Sequence, residues 1–302
     1  MVDQTHIPEL SLQSLINDES KSLDELSTAL ESHGFFTIVD HGIDDSLLDH
    51  SYNLAKAFFS LDTTIKLNYS RPEHGGARGY TPFGKETALG ETVPDLKEFW
   101  HFGPHIDATY DQRIKPNIYV NEIKDFNEHF NKLFISLNHL GISVLSSIST
   151  ILGLKKSFFD SWVLKGNSVL RLIHYPPVND KENNLRARAH EDINLITLLV
   201  GAEESGLEVL DKSGDWIPIE SRSHAIVCNI GDMMQLVTRK KLKSTTHRVV
   251  DYQQGKPKSR YSMPFFLHPS PEIILKSLVD DSKEAVSAHD FLEERVRAIK
   301  LY

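Results

Sequence analysis

The sequence predicts a mainly β protein with flanking helices: a sandwich or barrel of short strands, of which a double-sheet jelly roll is one form, behind a helical N-terminal region. Three observations predict it. Ile123, Phe126, Phe130, Leu133, Leu137, Leu140, Val144, Ile148 and Ile151 recur at spacings of three and four within 118–152, the period that buries one helix face. From Asn167 the period changes to short β-rich runs at 167–175, 193–200, 206–210, 215–219, 224–230, 233–238, 245–250 and 260–267. Turn signals such as Lys212-Ser213-Gly214-Asp215 separate these runs, and short strands punctuated in this way are the pattern of sandwiches and barrels.

In order along the chain, Leu10, Leu12, Leu15 and Ile16 form a short apolar segment of unassigned type. Residues 20–33 read as an amphipathic helix carrying Leu23, Leu26 and Leu30,. Phe35 to Val39 reads as a strand, His41-Gly42 as a turn and Asp44 to Leu61 as a helix. His41, beside a turn glycine, reads as a hydrogen-bonded structural residue. Residues 71–94 are rich in Gly, Pro and charge and read as loop,. Within them Gly79 to Glu86 approaches a phosphate-binding loop, but Glu86 stands where Ser or Thr is required and no buried strand precedes it, so nucleotide binding is excluded,. His101 and His105 are separated by Gly103-Pro104 and do not form a helical metal pair,. The stripe over 118–152 reads as packing on the chain's own sheet, because its outer face lacks the regular paired charges of a coiled coil; a monomer is expected, with Gly141 a potential kink. Lys155 to Val163 adds a short helix, and 271–302 reads as a polar tail with a closing helix over 288–300. The expected division is a mixed, mainly helical region over 1–164 packed on the core, a strand-rich core over 165–270, and a C-terminal segment over 271–302.

Composition narrows the function classes. The chain has 302 residues, 40% hydrophobic and 25% charged, which suits a globular protein with a sizeable core. A net charge of −9 argues against a nucleic-acid surface, which would be basic. No apolar run reaches the ~18 residues of a membrane span, and Met1 to Leu10 lacks the basic-then-apolar order of a signal peptide,. The single cysteine, Cys228, excludes an intramolecular disulfide and fits a reducing cytoplasm; within Ala225 to Ile230 it reads as a small buried hydrophobe.

The chemistry is carried by Arg188 to Leu195. His190 and Asp192 precede the β-forming run Leu195 to Val200. In a strand residues i and i+2 share a face, so the imidazole and the carboxylate are expected to project together with Glu191 turned away. A third ligand is offered by His247, too far along the chain for a local turn. Two His and one carboxylate are the facial triad of non-haem Fe(II) oxygenases, although catalytic zinc also accepts that set. Arg260-Tyr261-Ser262 separates the two. On a strand Arg260 and Ser262 share a face, a buried guanidinium needs a partner, and its fork fits a carboxylate to which the hydroxyl can also donate. A dicarboxylate such as 2-oxoglutarate would bridge metal and guanidinium with its charges balanced.

These residues resemble the isopenicillin-N-synthase-like family of Fe(II)/2-oxoglutarate-dependent oxygenases, whose H-x-D, distal H and R-x-S appear here in order as His190-Glu191-Asp192, His247 and Arg260-Tyr261-Ser262. The resemblance covers most of the chain. Gly34-Phe35-Phe36 with His41-Gly42-Ile43, Phe58-Phe59-Ser60-Leu61, Arg78-Gly79-Tyr80, Asp95-Leu96-Lys97-Glu98, Asn229-Ile230-Gly231-Asp232 and Ser244 to Val249 match further family segments. It implies a double-stranded β-helix (jelly-roll) core preceded by an N-terminal region of the non-haem dioxygenase type. It implies Fe(II), 2-oxoglutarate as cosubstrate and O2, with His190, Asp192 and His247 as metal ligands and Arg260 and Ser262 clamping the distal carboxylate. Tyr175 matches a family tyrosine before proline that reaches a carboxylate, but Ile173 stands where many plant members have Asn. The implied reaction is oxidation of a small-molecule substrate, hydroxylation by default, with release of succinate and CO2. An oxidase that uses no 2-oxoglutarate and a silent ligand-binding protein are the rival readings. His174, His224 and His268 read as satisfied core residues, and Phe266, on the face of Arg260 and Ser262, as a pocket or core aromatic.

Overall fold

Period-two alternation decides which side of a sheet each residue meets, and here it divides the strands between two cores. The computed structural model describes residues 7–87, 93–107, 110–177, 185–201, 205–220, 222–252 and 258–298. The N-terminal region supplies β1 (Glu9–Ser11), α1 (Leu12–Ile16), α2 (Ser20–Ser32), β2 (Phe35–Val39), α3 (Asp45–Phe59), α4 (Thr63–Leu67), a short 3-10 turn at Pro72–His74, β3 (Gly79–Thr81), β4 (Glu98–Phe102), α5 (Phe126–Ile151) and α6 (Asp160–Val163). Then come β5 (Val169–Tyr175), β6 (Leu185–His190), β7 (Ile196–Val200), β8 (Leu207–Leu210), β9 (Trp216–Pro218), β10 (Ile226–Ile230), α7 (Asp232–Val237), β11 (His247–Val250) and β12 (Arg260–Leu267). A hairpin, β13 (Ile274–Lys276) and β14 (Ala285–Ser287), leads into α8 (Ala288–Ala298).

An eight-stranded sheet runs β1-β2-β10-β7-β12-β5-β4-β3, and a four-stranded sheet runs β6-β11-β8-β9. Strands β1 to β4 thus extend the sheet built by the later core strands, and the N-terminal region is continuous with that core. On the outer face of the large sheet, Leu170, Leu172, Ile196, Leu198, Cys228, Met263, Phe265 and Leu267 pack with helices α1, α2, α3 and α5. Between the sheets, Phe35, Phe99, Ile173, Tyr175 and Val227 meet Ala187, Leu207, Val209 and Val249 of the small one. The alternation that sends Met263 and Phe265 outward turns Arg260, Ser262 and Phe266 inward.

Local signals set the element ends. Asp44 caps α3 by accepting from the Ser46 N–H at 2.8 Å,. At the end of α2, Gly34 adopts φ +69° and its N–H closes on the Ala29 carbonyl at 2.9 Å; a Cβ there would lie 2.1 Å from the Lys243 carbonyl oxygen, so only glycine makes this turn into β2.

Several expectations need correction. The long helix begins at Phe126, so Ile123 precedes it. Gly141 does not interrupt it; a Cβ there would lie 2.8 Å from Leu267 Cδ2, and its absence lets the helix close on the sheet. Contrary to the expectation that no segment has the span of a membrane, α5 is long and apolar enough to cross one by length and composition; here its buried face packs on the sheet and on α3. The expected helix over 155–163 contracts to Asp160–Val163. The run 233–238 is a helix rather than a strand: Met, Gln and Leu are good helix formers, and Met233, Met234 and Val237 bury one helical face. The loop expected over 71–94 contains β3 and the 3-10 turn, while its residues 88–92 lie outside the described residues. So do residues 1–6 and the last two of the expected closing helix. His41 is structural as expected, contacting the His224 carbonyl at 2.6 Å and accepting from the Ile43 N–H.

Candidate active site

The register of two antiparallel strands builds the centre. His247, the first residue of β11, pairs with His190, the last of β6, and their ring centroids lie 4.4 Å apart. Asp192 lies two residues past β6, in a turn held by the Asp232 N–H donating to its carbonyl at 2.7 Å. The expected strand alternation therefore does not unite His190 and Asp192, because the strand ends at His190 and the turn brings the carboxylate round. Glu191 points away as expected and accepts from Thr246 Oγ1 at 3.0 Å.

One donor atom from each of His190, Asp192 and His247 lies within 4.8 Å of the others, and His247 Nε2 is 3.9 Å from Asp192 Oδ1. Their remaining polar atoms are committed elsewhere. His190 Nδ1 meets the Arg188 carbonyl at 2.7 Å and His247 Nδ1 the Thr245 carbonyl at 3.1 Å, a contact that places the proton on Nδ1 and leaves the Nε2 lone pair free. Asp192 Oδ2 accepts from Thr197 Oγ1 at 2.7 Å and Asn229 Nδ2 at 2.8 Å, leaving Oδ1 toward the histidines. Desolvation, reinforced by His247, holds His190 well below its ordinary pKa and neutral. Burial alone would raise the Asp192 carboxyl, but the two histidines and its hydrogen bonds bring it below the carboxylate range. Two imidazoles and an ionised carboxylate suit a divalent transition metal.

Arg260 and Ser262 lie buried on β12, opposite Tyr175 and Ile173 of β5. The Arg260 guanidinium is 5.3 Å from the centre of the Tyr175 ring. The expected shared face of Arg260 and Ser262 is thus present, and Tyr175 stands opposite Arg260 on the neighbouring strand. Tyr175 packs in the apolar cluster between the sheets together with Phe35, whose ring lies edge-on to His247 at 5.5 Å.

A cavity of about 490 Å³ opens on His190 and Asp192. Phe266 lines it, with Leu292 and Val296 of α8 on another side. Its polar wall is a buried ion network. Lys97 Nζ lies 2.5 Å from Glu86 Oε2 and 2.9 Å from Asp95 Oδ2. Arg171 pairs with Glu86 at 3.3 Å, and its Nε donates to His101 Nε2 at 2.6 Å. Burial opposes both charges of the Lys97–Glu86 pair. The Arg171 and Lys97 cations nevertheless pull Glu86 far below its usual range, and the two carboxylates lift Lys97. His101 is held neutral, chiefly by burial.

No sequence signal assigned this wall a role. Lys97 immediately precedes β4, and the strand's alternation carries Phe99 and His101 to the same inner side. His174 is satisfied as expected, bonded to Glu98 and Ser259. His224 is paired with Asp49, but half-buried rather than in the core. His268 corrects its expectation: it is buried and lines the cavity, and its Nδ1 has no partner among the described residues.

Residues 166–269 match the 2OG-Fe(II) oxygenase superfamily, and residues 7–122 match the family described as non-haem dioxygenase in morphine synthesis N-terminal. The chain belongs to the 2OG-Fe(II) oxygenase superfamily. Among curated relatives of this oxygenase is the 2-oxoglutarate-Fe(II) type oxidoreductase hxnY of Emericella nidulans, 31% identical over 86% of this chain and 77% of that protein. Among solved structures, a 2OG-Fe(II) oxygenase family protein from Caulobacter crescentus is 41% identical, with a TM-score of 0.88 over 98% of this chain and 99% of that one. A full-length Neurospora crassa protein, crystallised in complex with alpha-KG, superposes with a TM-score of 0.88 at 26% identity, covering 99% of this chain and 98% of that one. This chain is accordingly a 2-oxoglutarate/Fe(II)-dependent dioxygenase with a jelly-roll core, and its cofactors are Fe(II), 2-oxoglutarate and O2.

Proposed function

We propose that His190 Nε2, Asp192 Oδ1 and His247 Nε2 hold the Fe(II), and that Arg260 and Ser262 bind the distal carboxylate of 2-oxoglutarate beside Tyr175. The observation that carries this reading is the disposition of the other polar atoms: each ligand's second atom is bonded to the protein, and what remains is three electron-pair donors facing one point. When bound, iron with 2-oxoglutarate and O2 supplies the oxidising chemistry, releasing succinate and CO2. The residues of the chain supply the rest. Thr197 and Asn229 orient Asp192, the main-chain carbonyls fix both imidazole tautomers, and the apolar cluster around Phe35 keeps water from the region between His247 and Tyr175.

The substrate is a small molecule bound in the cavity over His190 and Asp192, and the outcome is hydroxylation. The Neurospora crassa protein has also been crystallised with thymine, a ligand that fits a cavity of this size class. The buried, free Cys228 and the acidic charge balance support a cytoplasmic location. The test is equilibrium Fe(II) and 2-oxoglutarate binding, followed by visible absorption under argon. One metal per chain and a 2-oxoglutarate-dependent band are expected. Retention of full metal affinity after Asp192→Ala would refute the ligand set.

A further inference from the structure

We infer that the primary substrate is a small organic acid whose carboxylate is held by Arg78 beside His268. This rests on the reading of the triad and Arg260 given above, and it adds the chemical class of the substrate.

Arg78 is 1% exposed and lines the same cavity as His190 and Asp192. Its guanidinium lies against Gly103, where a Cβ would come within 2.1 Å of it, so the backbone fixes its position. It donates to the Lys115 carbonyl at 3.1 Å, the Ala77 carbonyl at 2.6 Å and Asn167 Oδ1 at 2.9 Å. These acceptors are neutral, and a guanidinium has five N–H donors, so donors remain. Among the described residues no carboxylate pairs with it. The other cations of the cavity wall are matched or wet. Lys97 and Arg171 share Glu86 and Asp95, Arg295 pairs with Asp232, Arg113 with Asp111, and Lys115 Nζ donates to the Gln112 carbonyl at the surface.

A buried cation without a counter-charge is costly, and in a cavity wall the missing charge can come from a ligand. A second, independent feature points to the same place. His268 is 7% exposed and lines the same cavity, and its buried Nδ1 has no partner among the described residues. Its ring feels both Asp192 and Arg78, which line the same cavity. Burial keeps it neutral, able to donate one N–H to an anion without adding charge. Charge accounting agrees. Among the buried groups, Fe(II), Asp192, 2-oxoglutarate and Arg260 sum to zero, the Lys97 network is balanced, and Arg78 leaves one positive charge for the substrate. Phe266, Val169 and Leu292 face the same space and suit an apolar body behind the acid group.

The test uses holoenzyme saturated with Fe(II) and 2-oxoglutarate under argon, titrated calorimetrically with two matched pairs, benzoate against benzamide and hexanoate against hexanamide. In at least one pair the acid should bind about tenfold or more tighter than its amide. Arg78→Gln should erase that preference and Arg78→Lys keep part of it, with 2-oxoglutarate affinity unchanged in both. Should the Arg78 variants not fold, His268→Leu tests the same subsite and should weaken acid binding severalfold. Equal binding of acid and amide in both pairs, or a preference that survives Arg78→Gln, overturns the proposal. So does loss of the 2-oxoglutarate band on adding acid, which would place the anion at Arg260. Failure of that band to form in the absence of any acid indicts the triad and Arg260 reading instead, while acid–amide selectivity still judges Arg78.

Discussion

His190 and His247 face each other across the β6–β11 pair, with ring centroids 4.4 Å apart and each Nδ1 against a main-chain carbonyl. Neither imidazole can turn without losing that contact, so the pair is set for metal before metal arrives. Replacing His247 or Asp192 by Ala should abolish turnover and Fe(II) binding while circular dichroism stays native. An active Asp192→Ala enzyme would contradict the assignment.

Asn229 tests the layer behind the ligands. Its Nδ2 donates to Asp192 Oδ2, and such outer partners typically contribute about 10–100-fold in metal affinity. Asn229→Ala should therefore weaken Fe(II) binding by about that factor, with 2-oxoglutarate binding restored at saturating metal. Unchanged metal affinity would mean that Thr197 alone positions the carboxylate.

Arg260 should report on the cosubstrate. Arg260→Lys keeps the charge but not the fork, and hydrogen bonds to charged groups contribute about 1.5–3 kcal/mol. The Kd for 2-oxoglutarate should rise about tenfold or more, read from the visible titration. An Arg260→Ala protein with wild-type 2-oxoglutarate affinity would remove this residue from the site.

How far the sequence discloses this site depends on how local each signal is. Arg260 and Ser262 were legible because one long strand carries both and alternation alone decides their face. The candidate metal ligands were legible as a set, but their assembly was not. His190 meets His247 through strand register, and Asp192 arrives through a turn that the α7 N-terminus holds, neither of which is written in local spacing. Residues 233–238 misled because a short apolar run fits a buried strand or a buried helix equally. Lys97 and His101 carry no assigned role in the sequence reading because the five-residue strand β4 is buried along its whole length, and charges there make sense only beside Glu86 and Arg171. His268 looked like an ordinary core histidine since an unmet Nδ1 can be seen only in three dimensions.

The Lys97 network should show in stability and its pH dependence. Lys97 and Glu86 are both buried, and removing one member of a buried pair costs on the order of 3–5 kcal/mol. Lys97→Ala should lower the midpoint of denaturant unfolding accordingly. The folded Glu86 pKa lies below its unfolded value, so its contribution is present above about pH 4.3 and is lost as pH falls below that toward the folded value. Wild type should lose stability on acidification through this window more steeply than Lys97→Ala. Parallel profiles would show that the pair contributes nothing to acid sensitivity.

The last expectation concerns coupling between the cavity and the cosubstrate. The cavity opens on His190 and Asp192 and is lined by Phe266 and by Leu292 and Val296 of α8. With no substrate present the groups nearest the reacting centre are the protein's own lining side chains. A substrate that fills it excludes water and places a C–H bond there in their stead. The purified Fe(II) enzyme should therefore consume 2-oxoglutarate slowly alone and faster once the right substrate is added, with succinate release and O2 uptake rising together. Prolonged turnover without substrate should oxidise lining side chains, with Phe266 the residue to look for in peptide mass spectra. Substrate-free consumption at the full coupled rate would show that filling the cavity does not govern the reaction.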